Sequence, residues 1–266
     1  HLVLARVEGA PEGVRGISLF VVPKFLVEES GELGPHNDVY ALSVEHKIGI
    51  HGSPTCVMSY GENSAGAVGF LVGEENMGLS YMFTMMNHAR LNVGVEGVAL
   101  SDRAYQQAVS YASDRVQGKP PVAIQDAGII KNAPIIYHPD VKRMLMLMRS
   151  LTEGSRALCY LTAVNFDLGH GGSDGGAKTA LARAELLTPI AKAWSTEVSQ
   201  EVTSLGVQVH GGMGYIEETG AAQLMRDARI TTIYEGTTGI QANDFIGRKV
   251  LRDGATELAG LLVDVR

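Results

Sequence analysis

The sequence predicts an α+β fold, mostly α: a small β domain followed by a bundle of unusually long antiparallel helices. Two observations predict it. As far as residue 72 the apolar residues fall in short runs separated by turn residues, as in LVLARV, GISLFVVP and CVMSY. After GEENMG (73 to 78) they recur at spacings of three, four and seven, the period of a helix face. No internal repeat is present.

The elements follow in order. GAPEGVRG separates the first two strands, the polar segment EESGELGPHND reads as a surface loop, and the HGSP turn precedes CVMSY. Leu79, Met82, Met86, Val93, Gly97, Leu100, Ala104, Ala108 and Tyr111 then mark one long helix. Roughly forty residues at ~1.5 Å each give a rod of about 60 Å. A second helix starts at His138-Pro139 and runs to about Asp167, with Met144, Met148, Leu151, Leu158 and Thr162 as its stripe. GHGGSDGG (169 to 176) follows a helix rather than a strand and holds no complete GxGxxG, so it reads as a mobile helix–helix connection. A third helix covers 177 to 206 on a stripe of Leu187, Ile190, Trp194, Val198, Val202 and Leu205, with Pro189 either kinking it or opening a second segment.

Composition narrows the function classes. The 266 residues can bury a substantial core. The 22 basic and 29 acidic residues give a net charge of −7, spread without long blocks, which argues against nucleic-acid and anionic-membrane surfaces. Cys56 and Cys159 form no metal-type or CxxC spacing and read as unpaired thiols in a reducing compartment. No run of about 18 apolar residues predicts a membrane span. The chain opens mid-pattern without an initiator Met, so a piece of something longer is expected.

Chemistry concentrates between residues 206 and 241. HGGMGY (210 to 215) is a glycine turn that lets the backbone approach either another helix or a ligand. MRDAR places Arg226 and Arg229 near Asp227 as an ion-pair cluster. In ITTIYEGTTGIQ (230 to 241), Thr238 and Gln241 fit a capping box, so a helix should start there. Glu235 then lies just before a helix N-terminus, on a hinge flanked by Gly236 and Gly239. It either neutralises the positive helix end or performs acid–base chemistry.

RDARITTIYEGTTGIQ resembles the signature of the flavin-dependent acyl-CoA dehydrogenases. Over the whole chain, MGLSYMFTMMNHARLNVGVEGVALSDRAYQQAVSYASDR is similar to their long first C-terminal helix, VQVHGG to a flavin-contacting segment, and GISLFVVPKF with VEHKIGIHGSPTCVMSYG to their middle β domain. RGISLFVVPK, EHKIGIHGSPTCVM and HPDVKRML point to a large bacterial branch that includes 3-methylmercaptopropionyl-CoA dehydrogenases. The resemblance implies part of a β-barrel domain over 1–75 and an up-down helical bundle over 76–266. It implies oxidation of an acyl-CoA thioester to the trans-2-enoyl-CoA, with FAD accepting the β hydride. Electrons then pass to an electron-transfer flavoprotein, in a homodimer or homotetramer of the bacterial cytoplasm (or the mitochondrial matrix of a eukaryote).

Residue by residue, the resemblance makes Glu235 the base that removes the α proton, with Gly236 against the thioester. Some relatives carry the base immediately before the arginine that matches Arg90, but Ala89 stands there and cannot act. Arg115 is implied at the flavin pyrophosphate, across a subunit interface. Gln208, Val209, His210, Gly211 and Gly212 would hold the adenine-dinucleotide part with backbone groups. Thr237 and Gly239 are implied beside the flavin cofactor, and Asn87 and Arg90 near the coenzyme A portion and the catalytic loop. Without the resemblance Arg115 is a helix-end cation, Asn87 a solvent-facing amide and Arg90 a helix salt bridge.

Departures include Pro139 at an apparent glutamine position, an insertion within RVQGKPPVAIQDAGIIKNAPIIYHPD, and Gly239 in place of a glutamine. The family's N-terminal helical domain, half its β domain and a C-terminal extension have no match. The chain alone is therefore expected to retain flavin weakly or not at all. An acyl-CoA oxidase and a non-catalytic helical assembly module are the competing expectations.

Overall fold

A computed structural model of the chain describes residues 1–63, 66–119, 132–172 and 175–265. It forms two compact units, His1–Asn87 and His88–Arg266.

The first unit holds seven short strands among its described residues: β1 (Leu2–Arg6), β2 (Ile17–Val21), β3 (Phe25–Val27), β4 (Leu33–His36), β5 (Val39–Val44), β6 (Cys56–Tyr60) and β7 (Phe70–Leu71). They pair antiparallel as β1-β2-β7, β3-β4 and β5-β6. Asn37 joins the connecting segments: its Nδ2 donates to the carbonyls of Pro23 and Val68, both at 2.8 Å, and its Oδ1 accepts the Val68 amide. The expected polar loop EESGELGPHND is corrected in part, because its second half is β4. Leu33 in that strand is exposed, so backbone pairing with β3 makes it a strand, not an apolar face. YALSV in β5 went unread for the same reason, since only Val39 of that strand is buried.

Three long helices organise the second unit. α1 (Gly78–Asp114) enters it from the first unit, and α2 (Pro139–Gly171) and α3 (Gly175–His210) follow. Pro139 takes the first turn of α2, where its missing N–H is harmless. Pro189 lies inside an unbroken α3, so the helix neither splits nor restarts there. The GHGGSDGG link joins α2 to α3 as a helix–helix connection; Ser173 and Asp174 lie outside the described residues.

The helix directions are those of the expected up-down bundle, in which the first and third helices run parallel. α2 runs antiparallel to α3, with Gly169 against Leu181, Cys159 against Ser195 and Met148 against Gly206. α1 and α3 run parallel and touch directly. A Cβ on Gly97 would lie 2.6 Å from the Ser195 carbonyl oxygen, and one on Gly94 3.2 Å from that of Ala191. These glycines let two backbones meet where side chains would hold them apart.

The core has two parts. Ala104, Ala108, Met144, Met148, Val198 and Val202 are among the residues of one, and Leu91, Val98, Cys159, Phe166, Ala184 and Ala191 form the other. Trp194, placed on the α3 stripe by its spacing, is 51% exposed. The buried face of α3 is instead small and hydroxylated. Thr188, Thr196 and Thr203 donate to the carbonyls four residues earlier, which satisfies their hydroxyls without leaving the helix. The buried Cys159 thiol is pushed up by desolvation and lies 3.4 Å from Ser195 Oγ.

After α3 the chain makes short turns and α4 (Ala221–Ala228), α5 (Thr238–Asn243) and α6 (Thr256–Asp264). α5 runs into a π-helical stretch, Asp244–Val250. Arg183 of α3 holds α6 through Glu257 and Asp264. The cluster around Asp227 takes in further partners: the Asp227 charge acts on Arg226, and Gln223 donates to Asp227. Arg226 grips Glu217 with both terminal nitrogens, and Arg229 donates to Thr232, because tight 3-10 turns bring those partners closer. Among the described residues no helix is long and apolar enough to cross a membrane.

Candidate active site

The segment before Glu235 is a 3-10 turn, Arg229–Thr232. Thr231 and Thr232 point inward while Ile233 is 45% exposed, so the small hydroxyl residues fill the interior here. Tyr234 is tied down by its phenol, which donates to Glu96 on α1. Burial, and then that carboxylate, push its pKa well above the ordinary value, so it remains a donor.

Glu235 itself takes a left-handed backbone, φ 53°. A non-glycine residue there costs on the order of 1–2 kcal/mol and persists only if neighbours enforce it. Gly236 follows at φ 90°. Added to Gly236, a Cβ would lie 2.8 Å from Gln241 Nε2 and 3.1 Å from Ile240 Cγ2, so the chain's own packing demands glycine.

The helix start differs from the expected capping box by one residue. Thr237 is the cap, its Oγ1 accepting the Ile240 amide at 3.3 Å. Thr238 instead donates to Glu197 on α3 at 2.6 Å. Gln241 does not return to the cap. Its Nε2 donates to the carbonyls of Glu235 and Gly236, at 3.2 and 3.0 Å, and so staples the left-handed turn. Those carbonyls are the unpaired acceptors that such a turn presents, which explains why the glutamine goes there.

Two further groups lie beneath the turn. Lys192 of α3 is 0% exposed, and its Nζ donates to the Gly236 carbonyl at 2.8 Å. Desolvation lowers its pKa to about 8, against the attraction of Glu197 and Glu235 and together with the repulsion of Arg90. Arg90 of α1 is also buried and pairs with Asp244, at the end of α5, at 2.9 Å. Asn87 falls at the end of the first unit, one helical turn before Arg90. The structure therefore gathers Glu235, Gly236 and Arg90 at one place and adds Lys192, Gln241, Tyr234 and Asp244, which sequence reading did not single out. A lysine between two alanines, in a helix whose true buried face is small and hydroxylated, was the available signal for Lys192.

The Glu235 carboxylate is what remains. Among the described residues it accepts no hydrogen bond and forms no ion pair, although Tyr234, Gln241 and Lys192 all fix its backbone. Thr237 already caps the following helix, so Glu235 is not needed as the cap.

The other expected residues collect elsewhere. His210 is buried; its Nδ1 bonds the Gly206 carbonyl at 2.7 Å, and its ring stacks on Tyr111 of α1 at 4.5 Å. Val209 is in the core, Gln208 is exposed, and the added Cβ of Gly211 or Gly212 would meet nothing within 4 Å. Gly214 is different: its Cβ would lie 2.3 Å from the Val207 carbonyl oxygen. Gly214 thus serves packing against the end of α3, whereas Gly211 and Gly212 leave open backbone. Arg115, exposed, follows α1 one turn beyond Tyr111. Tyr111 is fifteen residues from Glu96, so the two clusters lie about 22 Å apart along α1. The inserted segment after Arg115 lies outside the described residues over 120–131.

Residues 76–251 match the model of the acyl-CoA dehydrogenase C-terminal domain. The chain is 58% identical over 255 residues to a 3-methylmercaptopropionyl-CoA dehydrogenase of Ruegeria pomeroyi, covering 96% of this chain and 42% of that protein. It superposes on Caenorhabditis elegans ACDH-11 in complex with C11-CoA with a TM-score of 0.76 at 27% identity, over 92% of this chain and 38% of that one. An acyl-CoA dehydrogenase of Bacillus anthracis complexed with FAD gives a TM-score of 0.74 at 25% identity, over 95% and 40%. The chain thus spans less than half the length of these relatives. By its matched domain and its fold, the chain belongs to the acyl-CoA dehydrogenase family.

Proposed function

We propose that this chain serves the α,β-dehydrogenation of an acyl-CoA thioester to the trans-2-enoyl-CoA, with Glu235 removing the α proton. The observation that carries this is a carboxylate left without a partner on a turn that the fold fixes from three sides. A general base needs that combination: a set position, and an oxygen lone pair the fold has not consumed. Tyr234, held by Glu96, keeps the Glu235 backbone from rotating toward solvent. Gly236, next in the chain, would lie against the thioester. Arg90, paired with Asp244, ties the start of the second unit to the helix that follows the base.

FAD, when bound, supplies the acceptor for the β hydride. The residues present fit part of that cofactor. Arg115 offers an exposed cation, and the backbone of Gly211 and Gly212 is open enough for an anionic group to approach it. Gln208, Val209 and His210 would contribute through backbone only, because the Val209 and His210 side chains are committed to the interior. Thr237 and Gly239 lie on the exposed start of α5 and would face the cofactor's flavin end. Asn87 would meet the coenzyme A portion. The similarity to the Ruegeria protein favours 3-methylmercaptopropionyl-CoA or a fatty acyl-CoA as substrate. An electron-transfer flavoprotein as acceptor, a homodimer or homotetramer, and a cytoplasm that keeps Cys56 and Cys159 reduced complete the reading.

Glu235→Gln tests it. In the flavin-loaded protein this variant should keep its fold and lower kcat by about 10²–10⁴, the usual worth of a positioned base. Turnover at the parental rate would remove Glu235 from the mechanism.

A further inference from the structure

We propose that Lys192 is a positioning residue for Glu235: its buried ammonium, donating to the Gly236 carbonyl, holds the left-handed turn that aims the carboxylate. The inference rests on Glu235 being the base.

Lys192 does not reach solvent, so it is not itself poised to touch a substrate. Its ammonium bonds the carbonyl of the residue next to Glu235, at 2.8 Å. Gln241 donates to that same oxygen and to the Glu235 carbonyl. One neutral amide therefore already satisfies the Gly236 acceptor. A buried ammonium adds a desolvation cost that an apolar side chain of similar length avoids, so stability alone does not call for lysine here. What the charge adds is direction. A hydrogen bond from an ionised donor is about twice as strong as a neutral one and fixes the peptide it reaches. The peptide in question follows Gly236 at φ 90°, which itself follows Glu235 at φ 53°, a conformation the backbone leaves readily if released.

The groups facing Lys192 come from each packed element. Glu197 lies on its own helix, Arg90 on α1 with Asp244 beyond it, and Glu235 on the turn. The two carboxylates favour the ammonium, whereas burial and Arg90 oppose it, and its proton leaves at about pH 8. Below that pH the clamp is charged. Above it a neutral amine holds the carbonyl more weakly, and the turn loosens.

The test compares the flavin-loaded parent with Lys192→Met and Glu235→Gln on an acyl-CoA thioester, from neutral to alkaline pH. Lys192→Met should melt at or above the parental temperature and keep its KM. Its kcat should fall by about 10- to 100-fold, the cost of an ångström-scale misplacement. The parental loss of kcat centred near pH 8 should be absent from it. A purely structural lysine would instead lower the melting temperature and leave the pH profile in place. Parental kcat and profile in Lys192→Met, with Glu235→Gln inactive, overturn the role of Lys192 and leave the base intact. Parental turnover in Glu235→Gln removes the base itself. If Lys192→Met fails to fold, amide exchange in the parent decides. Corrected for intrinsic pH dependence, exchange at residues 236–238 should rise through pH 8, and a flat profile overturns the proposal.

Discussion

Glu235 departs from the rule that non-glycine residues avoid positive φ, and the departure separates two costs. The residue is held at φ 53° by contacts to its neighbours' backbone and not through its own side chain. Replacing it by alanine removes the carboxylate and leaves the strain, whereas glycine removes both. Glu235→Gly should therefore be about 1 kcal/mol more stable than Glu235→Ala. For a unit of this size that is roughly 2–4 °C in melting temperature. Equal melting temperatures would mean that the left-handed turn is not kept in solution. Sequence showed the acid and its glycine, because both are local. It could not show the strain, which depends on Lys192 and Gln241 arriving from other elements.

At the scale of elements, the helices were legible and their contacts were not. The change of apolar period near residue 78, His138-Pro139 and the glycine break at 169 to 176 placed all three long helices. Periodicity says which face of a helix is buried and nothing about what covers it. Gly94 and Gly97 carry the missing information. They allow parallel α1 to press its backbone on α3, next to the stretch from which Arg90 and Glu96 reach the site. Gly97→Val should force the helices apart and cost about 1–3 kcal/mol. Gly154, in α2, meets nothing within 4 Å, so Gly154→Ala should raise stability by roughly 0.5–1 kcal/mol through helix propensity. Urea unfolding of both variants checks the contrast, and similar destabilisation by the two would mean the helix contact is not specific. The capping box failed differently. The pattern of residue types fitted Thr238 with Gln241, but the pull of the Glu235 and Gly236 carbonyls on Gln241 leaves the cap to Thr237.

Across the whole molecule, the features tied to the proposed chemistry divide between two ends of one helix pair. Glu235, Lys192 and Arg90 lie near the start of the contact between α1 and α3, and Tyr111, His210 and Arg115 near its finish. About 30 Å of α1, from Arg90 to Tyr111, separates them, with a packed core between. Groups so far apart that share no partner act independently, whereas Lys192 bonds the residue next to Glu235 and feels its charge. Arg115→Ala and Glu235→Gln should therefore change stability additively, to within about 0.5 kcal/mol, and should affect different functions. Arg115→Ala should weaken flavin retention by about fivefold, the worth of one exposed charge pair, and spare the step that Glu235 performs. Lys192→Met combined with Glu235→Gln should be non-additive, because the second change removes one of the charges that favour the Lys192 ammonium. Four single and double variants, followed by urea unfolding and flavin dissociation, separate the cases. Strong coupling between Arg115 and Glu235 would show that the two ends are joined through the cofactor within one chain. Additivity would instead fit each end serving a different copy, as a shared site across a subunit interface requires.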